Sequence, residues 1–137
     1  MTRGGDRRSE PPVRVLGVDP GTVVTGWGLV ERRAGRVEHL AHGAVTPPAR
    51  LTLAAKLAAI HQALTELCDA WRPDVLALEQ NFVGRNVQSA FRLGEVRGIA
   101  MLAAASAGIV IAEYPPATVK LAVTFCSKAY PDLGRRC

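Results

Sequence analysis

Cysteine is sparse in this 137-residue chain: Cys68, Cys126 and Cys137 are all there is, and no two form a C-x-x-C pair. An odd number without that spacing indicates neither a closed disulfide framework nor a zinc site, and fits a reducing, cytoplasmic setting. A long apolar run is also missing. The longest nearly uncharged stretch, Gly98 to Ala112, is 15 residues and is interrupted by Ser106 and Gly108, short of the ~20 that cross a bilayer. No membrane segment is expected. Residues 1–12 hold glycines, prolines and charges but no apolar core, which excludes a secretory signal there and reads as a disordered lead-in. Lysine is scarce too, occurring only at Lys56, Lys120 and Lys128.

The basic charge is therefore mostly arginine. Seventeen Lys and Arg against twelve Asp and Glu leave a formal charge of +5, and the planar guanidinium fork pairs well with phosphate, so a polyanionic partner is favoured without being required. With 48% hydrophobic residues, a chain of this length buries one core and makes one domain.

Val13 to Val18 reads as a first strand, Pro20-Gly21-Thr22 as a turn, and Gly26 to Glu31 as a second strand. Ala34-Gly35 marks a hairpin into a third strand from about Val37 to Val45. Leu53, Leu57, Ile60, Leu64, Leu67 and Trp71 recur at gaps of four and three, the stripe of an amphipathic helix, which Arg72-Pro73 ends. Val75 to Leu78 is a buried fourth strand, about 86–107 a long helix rich in small residues around Gly94 and Gly98, and Ile109 to Ala112 a fifth strand. Pro115-Pro116 can open a short helix toward Lys120. This order is that of an α/β layer fold. After Thr124 no apolar period persists, and residues 125–137 read as an irregular tail.

Two segments carry chemistry. Val15-Leu16-Gly17-Val18-Asp19-Pro20-Gly21-Thr22 runs into Thr25-Gly26-Trp27-Gly28, and Val75-Leu76-Ala77-Leu78-Glu79-Gln80-Asn81-Phe82 follows the first helix. Each is an apolar run ending in a carboxylate, as when a buried strand delivers an acid to the rim of a sheet. The plain alternative is that each acid caps its strand or pairs with an arginine. The second segment continues as Val83-Gly84-Arg85-Asn86-Val87-Gln88-Ser89-Ala90-Phe91-Arg92-Leu93-Gly94-Glu95-Val96-Arg97-Gly98.

With these motifs in this order, the stretch from Val13 to Thr124 resembles the RuvC family, the Holliday junction resolvases of the ribonuclease H-like nucleases. The resemblance implies a mixed five-stranded sheet flanked by helices and a structure-selective endonuclease that cuts four-way DNA junctions as a homodimer, beside the RuvA–RuvB branch-migration complex. It implies two-metal catalysis, in which clustered carboxylates hold Mg²⁺ ions ~3.5–4 Å apart. Asp19 is then the metal-bridging acid and Glu79 the ligand from the neighbouring strand.

Phe82 matches an aromatic that wedges at the junction centre, and Arg85, Asn86, Gln88 and Arg92 follow as DNA contacts. Arg97 and Lys120 come next, while Thr22, Thr25 and Gly26 leave room for a phosphate to meet backbone donors. The family's later helix with two further aspartates has no match here, so the domain is expected to be C-terminally truncated and cleavage weak or absent. Asp132 has no companion acid one turn away and does not replace them. His39, His42 and His61 lack metal-ligand spacing with one another and read as structural or exposed, and Asp69, Asp74 and Glu95 read as surface or helix-boundary charges.

Two other readings remain open. Asp19-Pro20-Gly21-Thr22 is comparable to the phosphate turn of actin-like ATPases and sugar kinases, although a second phosphate loop is not visible. A catalytically dead junction-binding fragment is the other.

Overall fold

The computed structural model describes residues 10–80 and 86–114. The expectations placed on Phe82, Arg85, Lys120, the lead-in up to residue 9, the helix from Pro115 and the tail lie outside these residues. Seven elements follow in order: β1 Val13–Asp19, β2 Thr25–Arg33, β3 Arg36–Val45, α1 Leu53–Trp71, β4 Val75–Glu79, α2 Val87–Ser106 and β5 Val110–Tyr114. They form one sheet in the order β3-β2-β1-β4-β5. The pairs β1–β2 and β2–β3 are antiparallel, and β1–β4 and β4–β5 are parallel. The mixed five-stranded α/β sheet read from the sequence is thus present.

Local chemistry sets the boundaries. Ala34 and Gly35 both take positive φ, 52° and 76°, as the tight turn between twisted antiparallel strands demands. Thr52 caps α1 by accepting the Ala55 amide at 3.2 Å, satisfying one of the helix's unpaired donors. At its other end Arg72 turns left-handed, its amide donating to the Cys68 carbonyl at 3.0 Å, because Pro73 bars a further helical residue before it.

Both helices pack on one face of the sheet. Leu16, Val18, Leu29, Leu76 and Leu78 are buried there with Ile60, Leu64 and Cys68 of α1 and with Val96, Ala100, Ala103 and Ala104 of α2. Successive side chains of a strand alternate between faces, so Val15, Gly17 and Asp19, together with Val75, Ala77 and Glu79, belong to the opposite face. Among the described residues no helix covers it.

The small residues of α2 divide between two sides. Ala100, Ala103 and Ala104 face the core, whereas nothing lies within 4 Å of a Cβ placed on Gly94 or Gly98. The third strand also departs from simple alternation. Leu29 pairs with Ala41 but Val30 pairs with His39, a bulge that skips Leu40. His39 and His42, three apart and nominally on opposite faces, are thereby brought together at 3.0 Å between ring nitrogens.

Candidate active site at the strand ends

Val18 pairs with Leu78 in parallel register, and the next residues along the two strands are Asp19 and Glu79. Adjacent strands lie about 4.8 Å apart, so both acids leave the same edge, on the same face, as neighbours. Asp19 is exposed and Glu79 half-buried. Neither carboxylate takes a hydrogen bond or ion pair among the described residues. The alternative that each is paired with an arginine finds no support in those residues.

The turn behind Asp19 is fastened to itself. Thr25 is fully buried, its hydroxyl donating to the Gly21 carbonyl at 2.6 Å and accepting from the Gly21 amide at 3.2 Å. A Cβ at Gly21 would stand 2.3 Å from the Val24 carbonyl oxygen, so only glycine fits. The Gly21 amide and the Thr25 hydroxyl are therefore already engaged with each other. Thr22 stays half-buried beside them, and Val23 and Val24 project into solvent.

Arg97 is corrected as well. Expected as a DNA contact, it turns inward from α2, donating from Nη1 to the backbone carbonyl of Glu79 and from Nη2 to Glu113 Oε1 at 2.6 Å. Glu113 pairs with Leu78 across β4–β5, which puts it on the helix-covered face and away from the carboxylates of Asp19 and Glu79. Sequence reasoning passed over Glu113 although its signal matched theirs: the apolar run Ile109-Val110-Ile111-Ala112 also ends in an acid.

The remaining DNA-facing candidates gather at the start of α2. Asn86 is its N-cap, accepting the Gln88 amide at 2.9 Å. Gln88 is exposed, and Arg92 makes a 3.6 Å surface pair with Glu95, a contact worth at most ~1 kcal/mol and easily exchanged for phosphate.

Residues 15–132 match the model of the family described as crossover junction endodeoxyribonuclease RuvC. The chain belongs to the RuvC family. The match runs past Thr124, where the resemblance read from the sequence ends. Crossover junction endodeoxyribonuclease RuvC of Rhodospirillum rubrum is 45% identical over 120 residues, covering 88% of this chain and 71% of that protein. The RuvC of Rhodopseudomonas palustris is also 45% identical, over 90% of this chain and 69% of its own length. Among solved structures, Thermus thermophilus RuvC in complex with Holliday junction substrate superposes with a TM-score of 0.73 at 27% identity, covering 81% of this chain and 69% of that one.

By family the protein is therefore a crossover junction endodeoxyribonuclease, one of a group of metal-dependent nucleases. The strand-end geometry fits a metal. Two carboxylates on one face, unpaired among the described residues, make an oxygen-only donor set, and such a set suits hydrated Mg²⁺ rather than zinc or copper. No group of three or more His, Cys, Asp or Glu side chains converges on one point among the described residues, so those residues supply only part of a coordination shell there.

Proposed function

We propose that this chain recognises four-way DNA junctions as a homodimer, with Asp19 and Glu79 holding Mg²⁺ at the scissile phosphate for two-metal hydrolysis. The observation that carries this reading is the placement of both acids at adjacent strand ends, on one face and unpaired among the described residues. Magnesium bound there supplies charge for the attacking and leaving oxygens. The protein's own part is to fix the carboxylates: Asp19 through the Gly21–Thr25 clasp, and Glu79 through the strand register.

Phe82 is assigned to the junction centre, and Arg85, Asn86, Gln88, Arg92, Lys120 and Thr22 to the DNA around it. Asn86, Gln88 and Arg92 stand together at the N-terminal turns of α2, where backbone amides also favour phosphate. The dimer contact is assigned to the outer stripe of α2. Val87 and Phe91 are 68% and 69% exposed, and Met101 and Leu102 continue the same stripe past the open Gly94 and Gly98. Exposed apolar residues at i, i+4, i+14 and i+15, with open glycines at i+7 and i+11, make a surface suited to close helix pairing. A two-fold dimer places two sites against a substrate whose strands are related in the same way.

No helix of the described residues is long and apolar enough to cross a membrane. A cytoplasmic place alongside the RuvA–RuvB complex goes with the proposed role.

The test is binding at matched salt to a four-way junction and to linear duplex of the same length. The junction binds more tightly, affinity falls steeply with added salt as counterions are released, and Phe82→Ala lowers the junction preference more than the total affinity. Equal affinity for the two DNAs rejects the proposal. Phe91→Glu converts the dimer to monomer in sedimentation, and a dimer that persists in this variant moves the contact elsewhere.

A further inference from the structure

Arg97 is built into the strand ends rather than presented to solvent, its side chain being 17% exposed. Its guanidinium joins the last carbonyl of β4, that of Glu79, to the Glu113 carboxylate near the end of β5. The next amide, that of Gln80, donates to the Tyr114 carbonyl at 2.6 Å. The peptide unit following Glu79 is thus held at both poles, its C=O by α2 and its N–H by β5. Because that unit is planar, fixing both poles fixes the backbone torsion that sets where the Glu79 side chain leaves the strand.

The choice of atom matters. An arginine on the Glu79 carboxylate would cancel the charge that a cation needs, whereas one on its carbonyl orients the residue and leaves both carboxylate oxygens available. Glu113 balances the arginine from the helix-covered face, opposite the acid pair. Two divergent bonds from one rigid plane are what guanidinium offers and an ammonium does not.

We infer that Arg97, braced by Glu113, is a positioning residue that aims the Glu79 carboxylate at the site it shares with Asp19. This rests on the reading of Asp19 and Glu79 as metal ligands. Through Arg97 the acid is referenced to α2, the helix whose Val96 and Ala100 are buried in the core on either side of it.

The test is Mn²⁺ binding to the intact chain without DNA, followed by electron paramagnetic resonance, with the melting temperature of each variant recorded in metal-free buffer. Asp19→Asn abolishes binding. Arg97→Gln weakens it about tenfold, the lower end of what loss of an outer-sphere partner does to metal affinity. Arg97→Lys recovers part of the loss, and Glu113→Gln gives a smaller loss than Arg97→Gln. All are measured well below each variant's melting temperature, so a fall in affinity reports aim rather than unfolding.

Wild-type Mn²⁺ affinity in folded Arg97→Gln overturns the inference. Should that variant not fold, wild-type affinity in both Arg97→Lys and Glu113→Gln overturns it equally. No Mn²⁺ binding by the unmodified chain overturns the metal reading and this inference together, a result distinct from the loss of the Arg97 effect alone.

Discussion

At the N-terminal end of β1, Arg14 is bonded on every side, whereas roughly 16 Å along the same strand Asp19 has no side-chain partner among the described residues. The Arg14 guanidinium reaches Glu31 at 3.3 Å and the Trp71 carbonyl at 2.7 Å, and its backbone amide reaches the Asp74 carboxylate at 2.8 Å. Glu31, only 6% exposed, also faces Arg33 at 3.7 Å. The knot ties β1 to β2, to the end of α1 and to the entry of β4, and each buried charge in it has a counter-charge. The other end sets two like charges side by side without one among the described residues. A charge cluster that closes on itself holds a fold together, and one left open is available to a ligand.

The largest expected effect comes from opening the closed end. Arg14→Ala leaves Glu31 with a single, more distant partner, and breaking a buried pair from one side typically costs 3–5 kcal/mol. Arg14 is 36% exposed and Arg33 remains, so solvent screening lowers the expectation to about 2 kcal/mol. Urea unfolding measures it through the midpoint at constant slope. A loss below about 0.5 kcal/mol would place this cluster among ordinary surface pairs and remove the contrast with Asp19.

The open end responds in the opposite way. Asp19→Asn removes a like charge beside Glu79, so in metal-free buffer the variant is at least as stable as the parent. Added Mg²⁺ raises the parent's stability by about 1.4 kcal/mol at ten times the dissociation constant, and the variant loses this increment. Calorimetry with and without Mg²⁺ reads both. A metal-dependent rise that survives Asp19→Asn would show the ion sitting elsewhere.

The legibility of the two ends differed for physical reasons. Asp19 and Glu79 stood out because a buried strand writes a short apolar run that stops at a polar residue, and the helical stripe of α1 is written with equal clarity. All five strands and both helices were readable, with several ends unmoved and none moved by more than three residues. The roles of Arg97 and Glu113 were not, because their bond joins positions 16 apart and depends on which side of α2 lies over which strand end. The meeting of His39 and His42 was hidden for a similar reason: a spacing of three places strand residues on opposite faces until a bulge intervenes. Asp74, read as a surface or helix-boundary charge, is exposed as expected and also accepts the Arg14 amide, a contact that nothing near it in sequence announces because its partner lies sixty residues away.

A chemical probe of the closed end is available in Cys68, which is buried in α1 and whose carbonyl accepts the Arg72 amide. Burial, with a further push from Asp69, raises its thiol above the ordinary cysteine range. The folded state therefore keeps the proton at a pH where the unfolded thiol has lost it. Stability is unaffected below roughly pH 8.5 and falls as pH rises from there through the folded value. Cys68→Ser removes that alkaline slope. In the native chain Cys68 resists a thiol reagent, and Arg14→Ala speeds its labelling if the knot keeps this end shut. Equal labelling rates in parent and variant would confine the knot's effect to global stability.

The smallest effect is expected at the hairpin joining β2 to β3, beside the closed end. Ala34 holds φ of 52° there and Gly35 follows at 76°, a turn that asparagine-glycine fits and alanine enters only with strain. Ala34→Asn keeps the backbone path and relieves the left-handed residue, so stability rises by about 0.5 kcal/mol. The flanking Arg33 and Arg36 are paired across the strands, and Arg33 also faces Glu31, so a tighter turn holds Arg33 nearer the knot. A gain of the same size in an Arg14→Ala background means that turn and knot act independently. A larger gain there, where Arg33 is the remaining partner of Glu31, means that the turn stabilises partly through Glu31 and belongs to the closed end itself.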